Sequence, residues 1–171
     1  MLMNHNANGR TPKNQSGFSM IEVLITVLIL SFGLLGMASL ITTGMRANST
    51  AQYRSIATQQ TLDMAGRMRA NLAGVRAGSY DDITAGIPVA NDCFVNECDA
   101  GEITTYDQAQ WNTTNAAVLP NGTGTVAIDA VNGGFLITLM WVEKDRVGNA
   151  DPTCPDGTPA DRNCFVTRIS P

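Results

Sequence analysis

A single carboxylate, Glu22, stands at the head of an apolar stretch in which Val23 to Met45 carry no charge. An acid inside a membrane helix costs about 2.5 to 3.5 kcal/mol at the helix centre, less near an end, and is rarely without a partner. Glu22 therefore calls for a positive group that meets it in a poorly hydrated place. Just upstream lie Gly17 and Phe18, the point at which a polar stretch with Arg10 and Lys13 and no acid turns apolar. Phe18 and Glu22 are four residues apart, about 6 Å along a helix axis at 1.5 Å per residue.

The cysteines are the second group with chemistry. They occur only at 93, 98, 154 and 164, an even number suited to two disulfides in an oxidising compartment. Three connectivities are possible. The local pairs, Cys93 with Cys98 and Cys154 with Cys164, are favoured, each closing a short loop worth roughly 2 to 3 kcal/mol in the chain-entropy model. Zinc fits poorly, because four and nine intervening residues do not match short zinc knuckles. Asp151, Asp156 and Asp161 lack the glycine-centred spacing of a calcium loop, so no metal and no cofactor is expected.

These residues need elements to hold them. The uncharged run is long enough to cross a bilayer core of about 30 Å as a helix. No proline interrupts the chain between Pro12 and Pro88, so the helix is expected to continue from about Phe18 to about Leu72. In its second half Tyr53, Ile56, Ala57, Met64, Ala65, Met68, Leu72 and Val75 recur at helical spacing and form the face that packs on a core. Gly33 and Gly36 within the apolar half are read equally as close helix packing or as a place of local unwinding. Beyond Gly78 the chain is rich in Gly, Asn, Asp and Thr, the composition of loops and short strands. Thr125 to Val131 and Gly134 to Val142 read as a hairpin turning tightly at Asn132-Gly133. The alternation of Phe135, Ile137, Leu139 and Trp141 against Leu136, Met140 and Val142 predicts a central strand covered on both faces. Asp107 to Val118 is expected to be a short helix capped near Asp107, and Cys164 to Ile169 a last strand.

The junction Lys13-Asn14-Gln15-Ser16-Gly17-Phe18-Ser19-Met20-Ile21-Glu22-Val23-Leu24 resembles the prepilin-peptidase site of type IV pilins and type II secretion pseudopilins. An ordinary signal peptide would place a small-x-small cleavage site after its apolar core, and none follows here. The resemblance implies cleavage after Gly17, N-methylation of the new amine on Phe18, and pairing of that amine with Glu22 of a neighbour when subunits assemble. It implies an α+β, type IV pilin-like fold: a long N-terminal helix with a hydrophobic first half, packed on a small antiparallel β-sheet. Three parts follow: a leader, 1–17, which is removed; a transmembrane and filament-core helix, 18–45; and a periplasmic globular domain, 46–171, which includes the amphipathic second half of the helix.

Gly33-Leu34-Leu35-Gly36-Met37-Ala38, Arg46-Ala47-Asn48 and Asp63-Met64-Ala65-Gly66-Arg67-Met68-Arg69-Ala70-Asn71 look like the PilV minor pilins of the type IV pilus, over roughly Gly17 to Tyr80. Gly66 stands where that group would carry a carboxylate, and the leader is long for it. The resemblance implies a minor pilin that helps to prime pilus assembly and form the tip complex, supporting adhesion and twitching motility. Its partners would be prepilin peptidase, the inner membrane, other minor pilins and pseudopilin-like subunits, the major pilin and a tip adhesin. A type II secretion pseudopilin is the alternative, and a plain membrane-anchored periplasmic binding domain is the alternative of a different class. Catalysis is not expected, since the only histidine, His5, lies in the leader. Asp81, Asp82, Asp92, Glu97 and Asp99 read as solvated loop acids. The net charge of -4 divides as +2 over 1–17, +3 over 18–76 and -9 over 77–171, so the globular part is acidic and not suited to nucleic acid.

Overall fold

The computed structural model describes residues 17–143, 154–155, 158–159 and 161–170. Along them run helix α1 (Met20–Ala70), helix α2 (Leu72–Arg76), strand β1 (Asp82–Ile83), helix α3 (Ala100–Val118) and strands β2 (Thr123–Ile128), β3 (Phe135–Val142) and β4 (Arg162–Ile169). The chain divides into two units, one ending at Arg46 and the other running from Ala47 to Pro171.

In the first unit all described residues are exposed, including Phe32, Leu34, Leu35 and Leu40. Four of its hydroxyls bond to carbonyls of the helix itself. Thr26 donates to the Val23 carbonyl at 2.8 Å, Ser31 to Val27 at 2.7 Å, Thr42 to Ala38 at 2.7 Å and Thr43 to Ser39 at 3.0 Å. A helix that satisfies its own backbone and its own hydroxyls can sit in hydrocarbon. Length and composition alone make α1 capable of crossing a membrane.

The second unit is an antiparallel sheet of four strands in the order β1-β2-β3-β4, with helical residues packed on one face. Ala57, Met64, Ala65 and Met68 of α1 and Trp111 of α3 meet Val126, Phe135, Ile137, Leu139 and Trp141 in one buried cluster. This is the α+β arrangement of a long N-terminal helix on a small antiparallel sheet that the resemblance implied. At Gly124 the Trp111 ring lies so close to the backbone that a Cβ would overlap it. Asn112 locks the same point from α3, its Nδ2 donating to the Gly124 carbonyl at 3.2 Å while its Oδ1 accepts the Gly124 amide at 2.7 Å.

Several boundaries differ from the sequence reading, each for a local reason. The long helix breaks at Asn71, whose Oδ1 accepts the Gly74 amide at 3.1 Å and whose Nδ2 donates to the Ala100 carbonyl at 2.8 Å. That break turns Leu72, expected on the buried face, out to solvent. Helix α3 starts at Ala100, not near Asp107. Its cap is Asp99, whose Oδ1 accepts the Glu102 amide at 2.8 Å while Glu102 Oε2 accepts the Asp99 amide at 3.0 Å, a reciprocal capping box. Asp99 is thus a cap, and Asp107 lies buried in mid-helix, where it accepts from Arg67 at 3.1 Å and from the Tyr80 hydroxyl.

The hairpin between β2 and β3 exists, but its turn is wider than two residues, since Ile128 pairs with Phe135. Asp129 organises the intervening loop, accepting the amides of Val131 at 3.1 Å and Asn132 at 3.0 Å. Gly133 and Gly134, with φ of 77° and 82°, take the left-handed conformations that Asn132 was expected to share. The amide of Asn132, foremost, and Arg168 nearby hold the Asp129 carboxyl below the usual range. Strand β3 is interior to the sheet as expected, yet Leu136, Met140 and Val142 on its second face are only half-buried. Strand β1, two residues long, had no sequence signal.

Candidate assembly site

The site is built on the first turn of α1. Gly17, Phe18 and Ser19 precede the helix, and the Ser19 carbonyl accepts the amides of Glu22 at 3.0 Å and Val23 at 3.3 Å. Those bonds start the helix and leave Glu22 in its first turn, where a negative charge is favoured by the helix dipole. Phe18 is 85% exposed, and Glu22 is exposed with no side-chain partner among the described residues. A Cβ on Gly17 would meet nothing within 4 Å, so no packing among the described residues requires glycine there. The arrangement offers an exposed peptide ahead of a helix, followed one turn later by a carboxylate without a counter-charge among the described residues.

The remainder of the expected leader, residues 1–16, lies outside the described residues, as do Asp151 and Asp156 of the calcium alternative. Gly33 and Gly36 sit in continuous helix, and a Cβ on either would meet nothing within 4 Å. Among the described residues nothing approaches them closely. The four cysteines are brought together as Cys93 with Cys98 and Cys154 with Cys164, Cα atoms 5.6 Å and 5.0 Å apart. Among the described residues no group of three His, Cys, Asp or Glu is placed to hold a metal ion.

Residues 12–38 match the family model of the prokaryotic N-terminal methylation motif. The chain carries the prokaryotic N-terminal methylation motif. The matched stretch includes Gly17, Phe18 and Glu22, and it is the motif of type IV pilins and pseudopilins, structural subunits that are processed by prepilin peptidase and assembled into pilus-like complexes. With the long apolar helix and the small sheet, the architecture is the type IV pilin-like α+β fold, and the single N-terminal apolar helix fits a membrane-anchored pilin-type subunit. No curated protein and no solved structure matches the chain.

Two features with structural roles escaped the sequence reading. Asp99 and Glu102 stand at the three-residue spacing of a capping box, a legible signal that the acidic loop context masked. Asp107 had no such signal, because Arg67 and Tyr80 reach it from 40 and 27 residues away in sequence.

Proposed function

We propose that this protein is a minor pilin of a type IV pilus, cleaved after Gly17, N-methylated on Phe18, and inserted in the inner membrane by its residues 18–45 with the domain from residue 46 onward in the periplasm. Cleavage creates a positive amine one helical turn from Glu22. In a filament core shielded from water, an unpaired carboxylate is strongly penalised, so pairing of Glu22 with the amine of a neighbour sets the register of assembly. The observation that carries this reading is the methylation motif at the head of a long apolar helix, with Glu22 in the first turn and without an internal partner. The disulfides favour an oxidising compartment for the domain that holds them. The likeness of the stretch Asp63 to Asn71 to PilV minor pilins supports a place in the priming and tip complex, with other minor pilins, the major pilin and an adhesin as partners.

Intact mass and N-terminal sequencing of the membrane-extracted chain, from cells with and without prepilin peptidase, test the processing. A chain beginning at methylated Phe18 only when the peptidase is present is the expected result. An uncleaved chain, or one cut after the apolar run, would overturn it. A deletion strain separates the two pilin-type roles: loss of surface pili with secretion intact is expected, whereas loss of exoprotein secretion with pili intact would assign the chain to a type II secretion system.

A further inference from the structure

The two disulfides differ in how a thiol would reach them. In the pair of Cys154 and Cys164, Cys164 is only 3% exposed. Cys93 and Cys98 are both half-buried, and every other residue from Asn91 to Asp99 is exposed, so burial does little to shield their bond. The loop that the bond closes has a set shape. Asp92 Oδ1 accepts the Phe94 amide at 3.0 Å, the Asp92 carbonyl accepts the Asn96 amide at 2.9 Å, and the Phe94 ring meets Tyr106 edge-on at 5.9 Å between centroids. These contacts hold the loop and its charges in place around the two sulfurs.

Those charges are all of one sign. Asp92 precedes Cys93, Glu97 and Asp99 flank Cys98, and Glu102 is tied to the loop by Asn91 Nδ2 at 2.8 Å. None of these four acids makes an ion pair among the described residues. No Lys or Arg occurs between Ala77 and Glu143, and Tyr106, the α3 side chain against which the loop packs, is uncharged. The start of α3 carries a partial positive charge of about one half. Asp99 already takes the amides of Gly101 at 2.9 Å and Glu102 at 2.8 Å, so the carboxylates outweigh it. The local field therefore opposes the approach of an anion to either sulfur, and it also disfavours the thiolate that must leave.

We infer that Cys93–Cys98 is a charge-selective redox site, closed to anionic thiols by Asp92, Glu97, Asp99 and Glu102 and reducible by thiols whose own positive charge offsets the thiolate. In the reaction a thiolate attacks one sulfur, and the Cys93–Cys98 bond breaks with its electron pair on the other. A second thiolate resolves the mixed disulfide. Two reagent thiols become one disulfide, and their protons pass through water to the two freed cysteines. The selectivity keeps the loop closed wherever the reductants it meets are anionic, without burying the bond. It rests on the disulfide and its acids, and not on cleavage at Gly17 or on a place in a pilus.

The test compares two probes on the detergent-extracted full chain: glutathione, which is anionic, and cysteamine, whose ammonium offsets its thiolate. Alkylation of freed cysteines followed by peptide mass reads Cys93–Cys98 apart from Cys154–Cys164. Each rate is divided by the thiolate concentration and by the rate of the same probe on hydroxyethyl disulfide, which is neutral. At low salt cysteamine is expected to open Cys93–Cys98 about ten-fold faster than glutathione on this scale. In about 1 M salt, where the screening length falls to roughly 3 Å, the preference should nearly vanish. Glu97 is exposed, and Glu97→Lys should lower the low-salt preference several-fold. Equal rates, a preference that salt leaves intact, one that Glu97→Lys leaves unchanged, or no reduction by either thiol would overturn the inference. The salt series on the parent chain decides it even where the variant does not fold.

Discussion

Glu22 and Asp107 are both carboxylates on helices, and they differ in what meets them. Asp107 lies in the core of the second unit against the Arg67 guanidinium and the Tyr80 hydroxyl, a network that also takes in Asn71. Glu22 has no partner of its own among the described residues, and under the proposed role its partner arrives only with a neighbour. Glu22→Ala should therefore leave the chain cleaved and membrane-inserted but absent from sheared filaments, as read by immunoblot of the filament and membrane fractions; equal incorporation would sink the role of the carboxylate. For Tyr80, burial and then the bond to Asp107 push the hydroxyl up to about 12 from the ordinary 10.0. The neutral phenol is favoured by folding, so its contribution is complete below pH 10.0 and is lost as the pH rises toward about 12. Denaturant unfolding across that range should show stability falling in the native chain, and a shallower alkaline fall in Tyr80→Phe.

At the scale of elements, the two devices that fix α3 can be separated by mutation. Asp99→Ala removes the side-chain acceptor of the capping box and should cost about 1 kcal/mol, measured as a lower urea midpoint with an unchanged m-value. Gly124→Val forces a branched side chain into the Trp111 ring at the other end of the same helix–strand contact. Its expected cost is roughly 1 to 3 kcal/mol, and quenched or red-shifted tryptophan emission would accompany the loss of packing. A Gly124→Val chain as stable as the parent would show that the ring can move aside without penalty. The apolar half of α1 obeys a different rule, since four of its hydroxyls bond to the helix itself and its apolar side chains need only a nonpolar surrounding.

Over the whole molecule, hydrophobicity, charge and redox chemistry change in succession along the chain. The apolar helix has its single acid at its head, the continuing helix is basic, and the acidic remainder carries all four cysteines. The disulfide between Cys154 and Cys164 ties residue 154 to strand β4 across a separation of 10 residues. Replacing both cysteines by serine should lower stability by roughly 2 to 3 kcal/mol, seen as a reduced thermal midpoint under conditions that leave the Cys93–Cys98 disulfide intact. A midpoint equal to that of the parent would mean that the loop is already ordered by other contacts in the unfolded ensemble.

What the sequence determined by itself was local. The junction at Gly17-Phe18, the lone Glu22, the unbroken apolar run, the packed face from Ala57 to Met68 and the alternation in β3 all depend on neighbours within a few turns or a single strand. The tertiary structure decided what depends on distant residues. Asn71 breaks the long helix because Ala100 and Thr104 come to its side chain, and Asp107 is buried because Arg67 and Tyr80 reach it. The short strand β1 exists only because β2 offers it an edge. Periodicity records which side of an element is apolar, but a buried polar group or a two-residue strand is stabilised by partners that the chain brings together only on folding.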